Sequence, residues 1–238
     1  MRLLNSPRVL LDARNNFEIF DDFGYYNSAD FWTNLAADGG VTGFAEGDAE
    51  HGRIQGATGA TNNNEIACRS TNEVALFQAD GTMILEARIQ FTEVNTDDAN
   101  FAVGMADAAG ADLLSDDGGG DNINSSGALI FKVDGETVWR CACENNGTIK
   151  ETQSIQTAGG ASYQTLGIEV RDVDGTNVEI TYFLDGAALT DSSNAPIKHT
   201  LAFASSTEMR LVAGYMKAGG ATTETPNLDY FYFRAGRV

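Results

Sequence analysis

Proline, cysteine, histidine and cationic side chains are all scarce in this sequence. There are three prolines in 238 residues against 26 glycines, so the chain must turn on glycine rather than on proline-rich linkers. The three cysteines, Cys68, Cys141 and Cys143, are an odd number in a long chain, which excludes a disulfide framework. Two histidines, His51 and His199, lie in unrelated contexts and complete no zinc set with those thiols. Cys141 and Cys143 flank Ala142, so on a strand both face one side. They read as buried reduced thiols, which implies a reducing compartment, the cytoplasm of the cell that makes the protein. With 15 Lys+Arg against 34 Asp+Glu the net charge is −19. That excludes nucleic acid and anionic membranes as partners, because both need cations to displace counterions. No run of ~18 apolar residues exists to span a bilayer, and Met1–Pro7 has no secretory apolar core. There is no Gly-x-Ser-x-Gly elbow, P-loop or dinucleotide fingerprint.

Alternation of period two fills the sequence. From Thr82 to Thr92, Met83, Leu85, Ala87, Ile89 and Phe91 face one way and Ile84, Glu86, Arg88 and Gln90 the other. Further strands are predicted at Phe17–Phe20, Phe31–Thr33, Phe101–Met105, Ala128–Val133, Thr137–Cys143, Thr148–Ile155, Thr165–Arg171, Val178–Leu184, Met209–Met216 and Leu228–Phe233. Asp134-Gly135, Asn146-Gly147, Asp174-Gly175 and Asp185-Gly186 mark hairpin turns. Asp172-Val173-Asp174-Gly175 reads as turn rather than metal loop. The last strand, Asp229–Arg234, is aromatic on both faces and belongs inside a sheet rather than on an edge. No long helix and no fixed-period repeat is evident, so the fold class is all-β, a sandwich or barrel in one domain over 17–238.

Two segments differ from this background. Residues 1–16 carry Arg2, Arg8 and Arg14 against the single acid Asp12, together with Leu3, Leu4, Val9, Leu10 and Leu11. They read either as an arm that docks on a partner or as a first edge strand. From Ile89 to Phe131 there are eight acids and no Lys or Arg, read as a solvated loop edge. Within it, Asp112, Asp116, Asp117 and Asp121 surround Gly118–Gly120, and calcium is the ion whose ligands they resemble. The spacing is not that of an EF-hand, so no metal and no cofactor is expected.

The order of features resembles the concanavalin A-like lectin/glucanase superfamily, with its laminin-G-like branch. The resemblance rests on Phe20-Asp21-Asp22-Phe23 followed by Trp32, on Leu85–Arg88 before Phe101–Met105, on Leu166–Val170 before Tyr182–Gly186, and on Leu228–Phe231. It covers about residues 17–235 and implies an all-β, two-sheet antiparallel jelly-roll sandwich. Glycosidases of the superfamily place Glu-x-Asp-x-Glu on one strand, and Glu46, Asp48 and Glu50 have that spacing. Here Gly47 and Ala49 stand where bulky apolar residues are needed, so the segment is expected to be a solvated loop and the protein not an enzyme. Trp32 and Trp139 are expected in the core. Tyr25 and Tyr26 are the exposed aromatic pair suited to stacking on sugars, so carbohydrate remains a candidate partner.

The superfamily also includes phage structural proteins, and the Gly/Ala/Thr/Asn/Asp-rich, Lys-poor composition resembles theirs. The function expected from the sequence is a non-enzymatic virion protein made in the host cytoplasm, a capsid decoration subunit. It would form a homo-oligomer, a trimer, docked on a capsid or other virion protein through the 1–16 arm. A carbohydrate- or receptor-binding tail or fibre module is the alternative.

Overall fold

The computed structural model describes residues 16–27, 30–36, 41–47, 52–91, 98–123 and 125–236. Two antiparallel sheets face each other. The nine-stranded sheet holds β1 (Asn16–Asp21), β3 (Thr42–Glu46), β4 (Ile54–Ala57), β6 (Thr82–Phe91), β11 (Gly160–Asp172), β12 (Asn177–Leu184), β13 (Ala187–Ala188), β14 (Lys198–Ala202) and β16 (Asn227–Gly236). The seven-stranded sheet holds β2 (Trp32–Ala36), β5 (Glu65–Ser70), β7 (Asn100–Ala106), β8 (Ser126–Lys132), β9 (Val138–Asn145), β10 (Thr148–Thr157) and β15 (Arg210–Lys217). Of the sandwich or barrel that the alternation allows, the chain forms the two-sheet antiparallel sandwich that the resemblance implies.

The strands form where the pattern says they should. On β6 the alternate residues Met83, Leu85, Ala87, Ile89 and Phe91 are all buried between the sheets. β16 lies inside its sheet, paired with β6 on one side and with β1 and β4 on the other. Asn146 and Gly147 (φ 49° and 77°) join β9 to β10, and Asp185 and Gly186 (φ 50° and 80°) follow β12. Both pairs have the left-handed backbone that a tight hairpin of this twist needs. The Phe20–Phe23 motif also gains a reason. Asp21 accepts the Phe23 backbone N–H (2.8 Å) and the Trp32 indole N–H (2.7 Å). That pins Trp32 edge-on to Phe231, with ring centroids 5.1 Å apart. Trp32 and Trp139 are core residues, and Cys141 and Cys143 share the inner face as alternation requires.

The two outer faces differ, and this difference positions the site. Over the seven-stranded sheet lies a second apolar cluster, where Leu113, Leu114 and Ile123 cover Ala102, Leu129, Phe131, Ala142 and Val212. The acidic segment is more than the solvated edge expected from composition: residues 107–123 form a flap that turns Asp112, Asp116 and Asp117 to solvent and buries Ala109, Leu113, Leu114 and Ile123 beneath. Nothing comparable covers the nine-stranded sheet among the described residues.

Candidate functional site

The outer face of the nine-stranded sheet is built by cross-strand register. One row runs Phe20, Tyr232, Glu86, Gly167, Phe183 across β1, β16, β6, β11 and β12. The next on one side runs Tyr230, Arg88, Thr165, and the next on the other Arg234, Ile84, Glu169, Thr181. Directly opposite side chains on one face sit within contact range, so each row is a continuous strip. Gly167 interrupts its strip. The missing side chain leaves a groove of about 250 Å³ lined by Ile84, Glu86, Thr165, Gly167, Glu169, Phe183 and Gly186. The Asp185-Gly186 turn closes one end: Asp185 accepts the Thr165 N–H through its carboxylate and donates its own N–H to the Thr165 carbonyl, both at 2.8 Å.

The polar groups of this face are held in place. Tyr230 donates its hydroxyl to Glu86, and burial together with that carboxylate pushes its pKa up to about 12. Arg88 is ion-paired to Asp229 and lies 4.5 Å above the Tyr163 ring. Gln55 donates to Asn227 (2.9 Å) and Asn227 to Gln90 (3.3 Å), an amide ladder across β4, β16 and β6. Phe20 is 64% exposed with its ring 6.0 Å from that of Tyr230. Such a face combines fixed donors and acceptors with flat apolar rings, the surface that polyhydroxylated ligands need.

The sequence candidates fall elsewhere. Glu46 ends edge strand β3, exposed, and accepts the Tyr26 backbone N–H at 2.8 Å. Asp48, Glu50 and His51 lie outside the described residues, as do Arg2, Leu3, Leu4, Arg8, Val9, Leu10, Leu11 and Arg14 of the arm. Tyr25 is 78% exposed. Tyr26 corrects its assignment as a stacking surface: its hydroxyl turns inward to Asn34 (2.7 Å) beside Cys68, and its ring packs on the core. Burial first, then the neighbouring Cys68, raises its pKa.

The acidic flap does not suit calcium. The Lys217 ammonium, with a side chain 1% exposed, bonds Asp112 (2.7 Å), Asp116 (2.6 Å) and the Leu114 carbonyl (3.0 Å), with Glu65 at 3.8 Å. Burial opposes its charge, but the bonds to Asp112 and Asp116 outweigh burial and raise its pKa. Asp117 instead receives Asn62 and Asn63, and Asp121 interacts with Glu151. A cation is already present where an ion would sit, and it is a lysine. Among the described residues no group of three or more His, Cys, Asp or Glu is placed to hold a metal. Asp172 and Asp174 are spent on the turn, accepting the backbone N–H groups of Asp174, Gly175, Thr176 and Asn177.

Sequence reasoning missed Gly167, Phe183 and Glu169 as site residues. The signal was present in each strand as its outward face, but the groove exists only once β6, β11 and β12 are in register.

No protein-family model and no curated protein matches the chain. Solved structures do. An endo-1,3-β-glucanase from Streptomyces sioyaensis superposes with a TM-score of 0.61 at 14% identity, covering 93% of this chain and 96% of its own. Lectin I from Ulex europaeus, in complex with the methyl glycoside of α-L-fucose, gives 0.53 at 12% identity, covering 93% and 98%. The CBM2 module of the evolved Dit protein of Lactobacillus casei BL23 phage J-1 gives 0.51 at 10% identity, covering 94% and 97%. At such identities the likeness is one of fold: the chain, like these structures, is a two-sheet antiparallel jelly-roll sandwich.

Proposed function

We propose that this protein is a non-enzymatic carbohydrate-binding module, and that the groove floored by Gly167 is its binding site. The observation that carries the reading is the groove itself. A side-chain-free floor lies beside an aromatic wall, Phe183, and two carboxylates, Glu86 and Glu169, on a sheet face that no apolar cluster covers among the described residues. Aromatic rings supply apolar area to the flat face of a sugar, and carboxylates accept its hydroxyls. The three solved relatives described above include a glucanase, a lectin holding a fucoside and a phage carbohydrate-binding module, which supports this reading over others the fold could carry. The test is a glycan array with the purified chain, followed by incubation with any polysaccharide it retains. Retention without release of reducing ends is the expected result. No retention by any glycan rejects the reading, and cleavage rejects its non-enzymatic part.

A second reading places the module on a virion, as a tail or fibre component or a capsid decoration subunit docked through residues 1–16. It is favoured by the phage module among the structural relatives and by the basic, leucine-rich composition of that segment on an acidic chain. Deleting residues 2–15 should leave melting unchanged while abolishing incorporation into particles. Full incorporation of the truncated chain rejects docking through the arm.

A further inference from the structure

The groove has a charge character of its own. Its lining includes two carboxylates, Glu86 and Glu169, and no cation. The cations nearby on the same face have partners: Arg88 is paired with Asp229, Arg171 with Glu179 at 2.8 Å, Lys198 with Glu179 at 3.0 Å, and Arg234 interacts with Tyr232 and stands opposite Glu18. Glu86 is steadied by the Tyr230 hydroxyl rather than by a positive charge, and Arg171 reaches Glu169 only at 3.8 Å. The surrounding chain, at −19, adds no compensating field. A sugar seated over Gly167 would lie between these two carboxylates, half out of bulk water, where a unit charge at contact distance shifts affinity by about tenfold or more.

We propose that Glu86 and Glu169 make the groove a charge filter. It takes amine-bearing glycans in preference to uncharged ones, and uncharged ones in preference to glycans bearing carboxylate, sulfate or phosphate. This rests on the carbohydrate-binding reading and adds a selectivity to it.

The experiment uses three β-1,4-linked hexasaccharides that differ in charge: cellohexaose, the chitosan hexamer with free amines, and cellohexaose oxidised to carboxylate at C6. Each is titrated calorimetrically into the full chain and into the Glu86→Gln/Glu169→Gln double variant. The expected order for the native chain is chitosan, cellohexaose, oxidised cellohexaose, separated by about tenfold per step at low salt. The steps should shrink toward equality in ~1 M salt, where the screening length falls to ~3 Å. In the double variant, with melting unchanged, the three ligands bind within about threefold of one another whatever the change in absolute affinity, since the amides carry no charge. Equal affinity of the native chain for all three overturns the filter and leaves the carbohydrate reading standing. An order that persists in the folded double variant also overturns the filter, since the selectivity would then come from other groups. No binding of any hexasaccharide at millimolar concentration overturns the filter, and together with an empty glycan array it overturns the carbohydrate reading as well.

Discussion

Replacing Lys217 with methionine tests how the flap over the seven-stranded sheet is held. The substitution keeps the length and apolar stem of the side chain and removes only the ammonium. Breaking a buried ion pair by removing one partner costs about 3–5 kcal/mol. The structure places this case at the lower end. Asp112 and Asp116 have side chains 64% and 58% exposed, so water recovers most of what they lose. Glu65 is not so placed. Its side chain is 4% exposed, so water cannot replace the ammonium beside it, and its remaining partners include the Tyr215 hydroxyl and the Asp112 N–H. The expected loss is about 3 kcal/mol, or roughly 6–12 °C in Tm for a chain of this size. Thermal denaturation followed by circular dichroism measures it. Adding Glu65→Gln to Lys217→Met removes the stranded charge and should restore more than half of the loss. A Tm change under about 2 °C for Lys217→Met, or a double variant as unstable as the sum of the single ones, refutes the argument that the ammonium holds a buried carboxylate and the flap together.

Two further outcomes follow from buried groups. His199 accepts from or donates to Thr152 (3.0 Å), Tyr182 (3.1 Å) and Cys143 (3.4 Å), and burial, with Lys150 nearby, lowers its pKa to about 4. Between pH 6.5 and 4 the unfolded chain takes a proton there and the folded chain does not, so its contribution is lost as pH falls through that window, by up to about 3 kcal/mol. Glu65, Glu144 and Asp121 have raised values and act in the opposite sense. The difference in urea stability between the native chain and His199→Gln, taken at pH 7 and pH 4.5, isolates the histidine, and a difference independent of pH contradicts its assignment. Cys68, Cys141 and Cys143 are buried free thiols with raised pKa values, about 12 for Cys143. An aromatic disulfide reagent should titrate none of them at pH 8 until denaturant is added, and prompt reaction of one thiol would place it at the surface.

The strands were readable because each carries its own evidence. The alternation of Met83 to Phe91 and the Asn146-Gly147 turn need no tertiary information. β3, β4 and β5 were not readable. Thr42–Glu46 and Ile54–Ala57 are short and contain glycine, and Glu65–Ser70 mixes glutamate and arginine with its buried residues. Glu65 belongs there only because Tyr215 and Lys217 lie opposite. The same distance in sequence hid the identity of the acidic flap, since the cation that Asp112 and Asp116 hold stands 105 and 101 residues away. The groove was hidden for a related reason. Glu86, Gly167 and Phe183 are unremarkable on their own strands and meet only through the register of β6, β11 and β12. Tyr26 was misjudged because a loop aromatic reads as exposed unless its hydroxyl has a partner, and Asn34 lies on β2.

The most direct measurement compares the native chain with Gly167→Leu. A Cβ at Gly167 meets the Phe183 Cβ at 3.4 Å, the Leu85 carbonyl at 3.7 Å and the Phe183 Cδ2 at 3.9 Å, ordinary contacts without strain, so leucine fills the groove while the fold remains. Isothermal titration of both chains with the best glycan from the array decides the matter. The account predicts measurable binding by the native chain and a loss of at least tenfold in Gly167→Leu at unchanged Tm. Equal binding by the filled variant would contradict the claim that this groove is where carbohydrate binds.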